Sequence, residues 1–210
     1  MYSIEKISNK VSNKIAIELN LDNNKRAVIN YGIFAFSQML LSIVLVGLFG
    51  FIFDVFIEAI IIFITISVLR QKAGGVHASS PGICTFVGTV LSVGMGLAMK
   101  NIDINIRVVI AIGCVIFVWS YYTTYKLAPV DSIAKPIKKL EKRKRLKKSS
   151  MLILTVYLVI VIVNIIGYYA TQNANLLVYS GCIYIGLLWQ IFSLTKSGHV
   201  VLGKLDTFFK

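Results

Sequence analysis

Residues 28–69 read VINYGIFAFSQMLLSIVLVGLFGFIFDVFIEAIIIFITISVL, an apolar stretch of 42 residues in which only Asp54 and Glu58 carry charge. A helix crosses the hydrocarbon core of a bilayer in about 20 residues, so a stretch of this length holds two spans. The turn between them is expected near Gly50 to Asp54, giving spans over about 28–49 and 52–69. Four more apolar runs follow, at about 84–99, 106–125, 151–170 and 176–195. The third span is rich in small residues, Gly88, Gly94 and Gly96, which permit close helix packing and suggest a homodimer.

The composition agrees. Of 210 residues, 57% are hydrophobic and 15% charged, a balance too apolar for a soluble domain of this size to hide in one core. The expected fold class is therefore all-α: a polytopic membrane protein with six transmembrane helices. Upstream of them, Ile4, Ile7, Val11, Ile15 and Leu19 recur at helical spacing, with Lys6, Lys10 and Lys14 on other faces. Residues 1–26 thus read as a cytoplasmic amphipathic helix lying on the membrane surface, and 27–210 as the six-span domain. The N-terminus lacks the apolar core and cleavage site of a signal peptide and is expected to be retained.

The net charge of +13 would suggest nucleic acid in a soluble protein. Here the basic residues fall between apolar runs, which points to topology and anionic membrane lipid, and no nucleic-acid partner is expected. Under six spans, twenty of the twenty-two Lys and Arg residues fall on one face: five in the N-terminal segment, two at 70–80, ten in a basic loop at 126–150 and three in the tail. Only Lys100 and Arg107 fall opposite. The positive-inside rule then puts both termini and these loops in the cytoplasm. Three cysteines scattered through apolar sequence, Cys84, Cys114 and Cys182, do not form a disulfide framework. No metal set, phosphate-binding loop or cofactor motif is present in the sequence, so neither metal nor cofactor is expected.

The loop at 70–84, RQKAGGVHASSPGIC, carries His77 and Cys84 seven residues apart. Such a pair can act as a thiolate nucleophile with its general base, although a cysteine beside a span usually only packs and a loop histidine is usually solvated. The local sequence favours the sharper reading. Ser80-Pro81 resembles a helix start, with Ser as N-cap and Pro in the first helical position. Cys84 then lies in the first turn, where unpaired amides and the helix dipole favour a thiolate and suit an oxyanion. Gly74-Gly75 supplies a bend that brings His77 back toward Cys84.

These residues resemble a known family. Arg70, Gly75, His77 and Cys84 in this spacing are similar to the accessory gene regulator B family, membrane endopeptidases of Gram-positive quorum sensing. The segment LAPVDSIAKPIKK at 127–139 resembles that family's Ala-Pro-x-Asp-x-x-x-Lys-Pro stretch after its fourth span. The resemblance implies a cysteine endopeptidase of the bacterial cell membrane that cuts the C-terminal segment from a small precursor peptide. Cys84 attacks, His77 moves the proton, and a thioester holds the acyl part until a side chain of the peptide closes a thiolactone or lactone.

The family's precursors end in an acidic segment, which the basic residues of 135–148, Lys138 and Lys139 among them, are placed to attract. Fixing topology serves equally as their purpose. Arg70 pairs with a carboxylate or reaches toward headgroups. Asp131 either orients His77 or caps a loop. Glu58 is read as reaching to water near the outer boundary rather than as an intramembrane functional group. A small transporter or peptide exporter is the competing reading. It calls for half-repeats or polar groups at mid-membrane, whereas here the polar chemistry sits at the boundary.

Overall fold

The computed structural model describes residues 2–76, 80–102, 105–130, 137 and 139–208, and among them the regular structure is helical. The helices are α1 (Tyr2–Glu18), α2 (Asn23–Ile52), α3 (Phe56–Ala73), α4 (Pro81–Lys100), α5 (Ile106–Leu127), α6 (Leu140–Thr171), α7 (Asn175–Phe192) and α8 (Lys196–Phe208). Helix starts follow local chemistry. Asp22 caps α2 by accepting from the Lys25 amide at 2.7 Å, and Asn105 caps α5 by accepting from Arg107 at 2.9 Å.

Five helices, α2, α4, α5, α6 and α7, are long and apolar enough to cross a membrane. The sixth expected span, α3, is 18 residues long and carries Glu58, Arg70 and Lys72 at its ends, so composition alone does not mark it as a span. Packing nevertheless places it at the centre. It contacts α2, α4, α6 and α7, and Ile62, Leu69 and Ala73 are fully buried. Its charges follow helix electrostatics, with Glu58 in the first turn and Arg70 and Lys72 in the last. The turn before it falls at 53–55, a few residues beyond the midpoint expected from sequence. Lys100 closes that turn on Asp54 at 2.6 Å. Through this hydrogen bond and its charge, Lys100 holds the Asp54 carboxyl below the usual carboxylate range.

Two readings are corrected. The basic stretch within 126–150 is not all loop: α6 begins at Leu140, and EKRKRLKK forms its first two turns. Lys, Arg, Glu and Leu are good helix formers, so the apolar span extends into charged sequence as one helix of about 48 Å. The tail, read only as a short basic segment, forms a helix, α8, whose start is capped by Thr195 Oγ1 accepting from the Gly198 amide at 3.1 Å.

The N-terminal helix α1 lies against α2, with the Asn30 amide donating to Asn9 at 2.8 Å. Its close-packed face is Ser8, Ser12 and Ala16, while Ile7 and Val11 stay exposed. Within α4, only one of the three glycines makes the close approach expected of them. A Cβ at Gly96 would lie 3.3 Å from the Ala59 nitrogen, whereas Gly88 and Gly94 face open space. The tightest approach of the central pair is at Gly186 of α7, where a Cβ would lie 2.8 Å from Thr65 of α3.

Substitution separates these roles. Gly186→Ala is expected to destabilise the folded protein in detergent or nanodiscs by about 1–3 kcal/mol, because α3 and α7 must part. Gly94→Ala is expected to be neutral or slightly stabilising, as an alanine in an open helical position. Thermal or denaturant unfolding of the two variants side by side checks the difference.

Candidate functional site

Three helix ends and two loops converge around Cys84. Ser80 occupies the N-cap position of α4 with extended backbone (φ −118°, ψ 133°) and Pro81 follows it, as the sequence predicts. The Ser80 hydroxyl makes no capping bond, however. Its contribution is the carbonyl, which accepts from the Cys84 amide at 3.1 Å. Cys84 is half-buried and in the first turn. The preceding amides of Gly82 and Ile83 sit where a helix offers no internal acceptor, which is where an oxyanion would find donors.

α2 fixes the start of α4. The Gln38 amide donates to the Pro81 carbonyl at 3.0 Å and to Thr85 Oγ1 at 2.6 Å, and Ser42 Oγ lies 3.0 Å from the same threonine oxygen. On another side of Cys84 stands Arg70, from the last turn of α3. The guanidinium lies within electrostatic range of the Cys84 thiol. Arg70 Nε donates to Gln190 Oε1 of α7 at 2.9 Å. Sequence reading left Arg70 between a carboxylate and the headgroups; its described partners are an amide and a thiol.

The segment leaving α3 is held just as closely. Gly74 (φ +77°) and Gly75 (φ +131°) adopt backbone conformations that side chains disfavour. A Cβ at Gly74 would collide with the Val130 carbonyl, and one at Gly75 would lie 2.7 Å from Ser193 Oγ. Gly74 pairs in parallel with Val130, whose amide donates to the Ala73 carbonyl at 2.9 Å. Gln190 Nε2 donates to the Gly74 carbonyl at 2.8 Å. Arg143 of α6 reaches the Pro129 carbonyl at 3.3 Å, tying the segment after α5 to the basic helix.

The structure therefore brings Cys84, Arg70, Gly75 and Ser80 to one end of the bundle. His77, Asp131 and Lys138 lie outside the described residues, although Val130, next to Asp131, is fixed against Gly74. Lys139 is exposed at the N-cap position of α6. Beside it, Lys126, Arg143, Lys144 and Lys147 line a cleft of about 220 Å³ floored by Leu127, Ala128 and Leu140. Lys147 stands 4.0 Å above the Tyr125 ring. Among the described residues there is no cluster that could hold a metal. Cys182 is buried and Cys114 is exposed on the face of α5, both amid apolar residues.

Sequence reasoning missed Gln38, Gln190 and Val130. The two glutamines left a faint signal, since each is an amide within an apolar run and such side chains bond between helices. Val130 left none.

Apolar helices around a polar cluster at one end define a multi-pass membrane protein with a cysteine-bearing helix start. The accessory gene regulator B family matches residues 6–194, and this chain belongs to that family. Two AgrB-like proteins of Clostridium perfringens, from strains SM101 and 13, are each 39% identical to it over 208 residues, covering 98% of this chain and 97% of theirs. No solved structure matches it. Membership associates the chain with peptide processing in accessory gene regulator quorum sensing.

Gly75→Ala tests the packing of the loop. With both φ and Ser193 opposing a methyl group, it is expected to cost about 1–3 kcal/mol locally and to slow any reaction at Cys84. Global unfolding should change less than activity. Equal loss of both would show that Gly75 serves the fold alone.

Proposed function

We propose that this protein is a membrane cysteine endopeptidase that cleaves the C-terminal segment from a small precursor peptide and assists closure of the remainder into a thiolactone or lactone. The observation that carries the reading is the Cys84 thiol in the first turn of α4, with Arg70 within electrostatic range of it. Family membership supports it. In this reading six helices span a bacterial cell membrane, α3 included, with the termini and the Cys84 end in the cytoplasm and α1 at the inner surface.

The reaction balances as acyl transfer. Cys84 Sγ attacks the scissile carbonyl while His77 takes the thiol proton, and Gly82 and Ile83 amides receive the oxyanion. The C–N bond breaks as His77 returns the proton to the leaving amine, and the acyl group stays on Cys84 as a thioester. A thiol or hydroxyl of the bound peptide then attacks that thioester and closes the ring, freeing Cys84. Thioester exchange is nearly balanced, but making the first thioester from an amide is uphill, so removal of the released tail helps drive the cycle. Asp131 is assigned to orienting His77, and Gly75 to shaping the bend that carries it. Excluding water from the thioester is the service a site at the lipid boundary provides.

Co-expression with a precursor encoded beside it tests this directly. Cys84→Ala and His77→Ala are each expected to lower cleavage by about 10³-fold or more, and a thioester adduct on Cys84 should appear by mass spectrometry of the wild type. Cleavage that survives in Cys84→Ala sinks the assignment.

The cationic cleft and the first turns of α6 are assigned to the acidic tail of the precursor, and anionic lipid is their second partner. Replacing Lys138, Lys139, Lys142, Arg143, Lys144 and Arg145 with Gln should raise KM about tenfold at low salt, with the difference shrinking as salt rises. Unchanged kinetics would confine these residues to topology and lipid.

A further inference from the structure

Gln190 is fully buried, flanked by Leu187 and Ile191 of α7 and by Leu194 just beyond it, all of the apolar core. A carboxamide is costly in such a place unless both ends are bonded, and an apolar residue of the same size would pack as well. Here both ends are spent on the site. Oε1 accepts from Arg70 Nε at 2.9 Å, and Nε2 donates to the Gly74 carbonyl at 2.8 Å. Engaging Nε fixes the plane of the guanidinium and leaves the Nη groups for other acceptors. One turn on, Ser193 Oγ donates to the Gln190 carbonyl at 2.7 Å and stands against Gly75, so α7 offers the loop a matched surface.

The two partners of this amide serve different halves of the site. Arg70 faces the Cys84 thiol, and Gly74 opens the segment that leads to residue 77. We infer that Gln190 is a positioning residue: its carboxamide holds the Arg70 guanidinium toward Cys84 and fixes the backbone from which the loop to His77 departs. This rests on the cysteine-peptidase reading above. An Asn is one methylene short of spanning both partners. A Glu keeps the acceptor for Arg70, loses the donor for Gly74, and adds a charge that competes with Cys84 for the guanidinium.

The test uses the full chain in nanodiscs with Gln190→Leu and Gln190→Glu. Alkylation of Cys84 by iodoacetamide is followed against pH at its own peptide by mass spectrometry, with buried Cys182 as internal reference for folding, and cleavage of the precursor gives kcat and KM. Both variants are expected to slow alkylation of Cys84 across the pH range. Both should lower kcat roughly 10- to 100-fold, as small misplacements of reacting groups do, while KM stays within about twofold and Cys182 stays protected. Should Gln190→Leu fail to fold, Gln190→Glu, charge-balanced by Arg70, carries the measurement. Wild-type profile and kcat in a folded variant overturn the inference, and so does exposure of Cys182 in both, which would make Gln190 a strut of the fold. Cleavage by Cys84→Ala would instead overturn the peptidase reading, whereas its loss there beside normal Gln190 variants overturns the positioning role alone.

Discussion

Two hydrogen bonds from one carboxamide organise the end of the bundle where the polar residues gather. Irregular backbone packed among apolar helices must find partners within the protein, because bilayer cannot supply them. The exit from α3 is such a place, and Ala73 and Gly74 find their partners there. The Gly74 amide donates to Arg70 O at 2.9 Å, its carbonyl accepts from Gln190, and the Ala73 carbonyl accepts from Val130. Glycine at 74 and 75 lets the chain take the required conformation, and α7 and the segment after α5 close around it.

The same accounting explains how α3 can be central and yet carry three charges. Its middle packs against four helices while Ile57, Ile64 and Val68 stay exposed, and its charged residues sit at the two ends where neighbours or the helix dipole meet them. Glu58 is near Lys100, and Arg70 is between Gln190 and Cys84. An isolated helix of this composition would be a weak membrane span. Its exposed face is apolar through the middle of the helix, and the charges are confined to the ends.

Much of the architecture is legible in the apolar runs. The expected boundaries of the helical segments fall within a few residues of α2 to α5, because length and hydropathy decide them. Ser80-Pro81 marks the start of α4 for a local reason, the fixed φ of proline at a first helical position. The basic run misleads because charge reports contact with water or headgroups and says nothing about whether the backbone is coiled. The α4 glycines mislead likewise, since a small residue permits a close approach without requiring one. Gln190 meets Arg70 across 120 positions of sequence, and Val130 meets Gly74 across a whole hairpin of helices, pairings that no local pattern encodes.

The proposed nucleophile and its proposed base are carried differently, and the chemistry assigned to them asks for that difference. Cys84 rides on a helix start held by Gln38 from α2 and faced by Arg70 from α3, so moving it means moving a span. A residue at 77 instead follows two glycines whose backbone is held by Val130 and α7. Acyl transfer needs the sulfur to stay in one position through attack and ring closure, while the base must serve first the thiol and then the leaving amine, atoms that lie on different sides of the tetrahedral carbon. A rigid helix suits the first requirement, and a position just beyond two anchored glycines is assigned to the second.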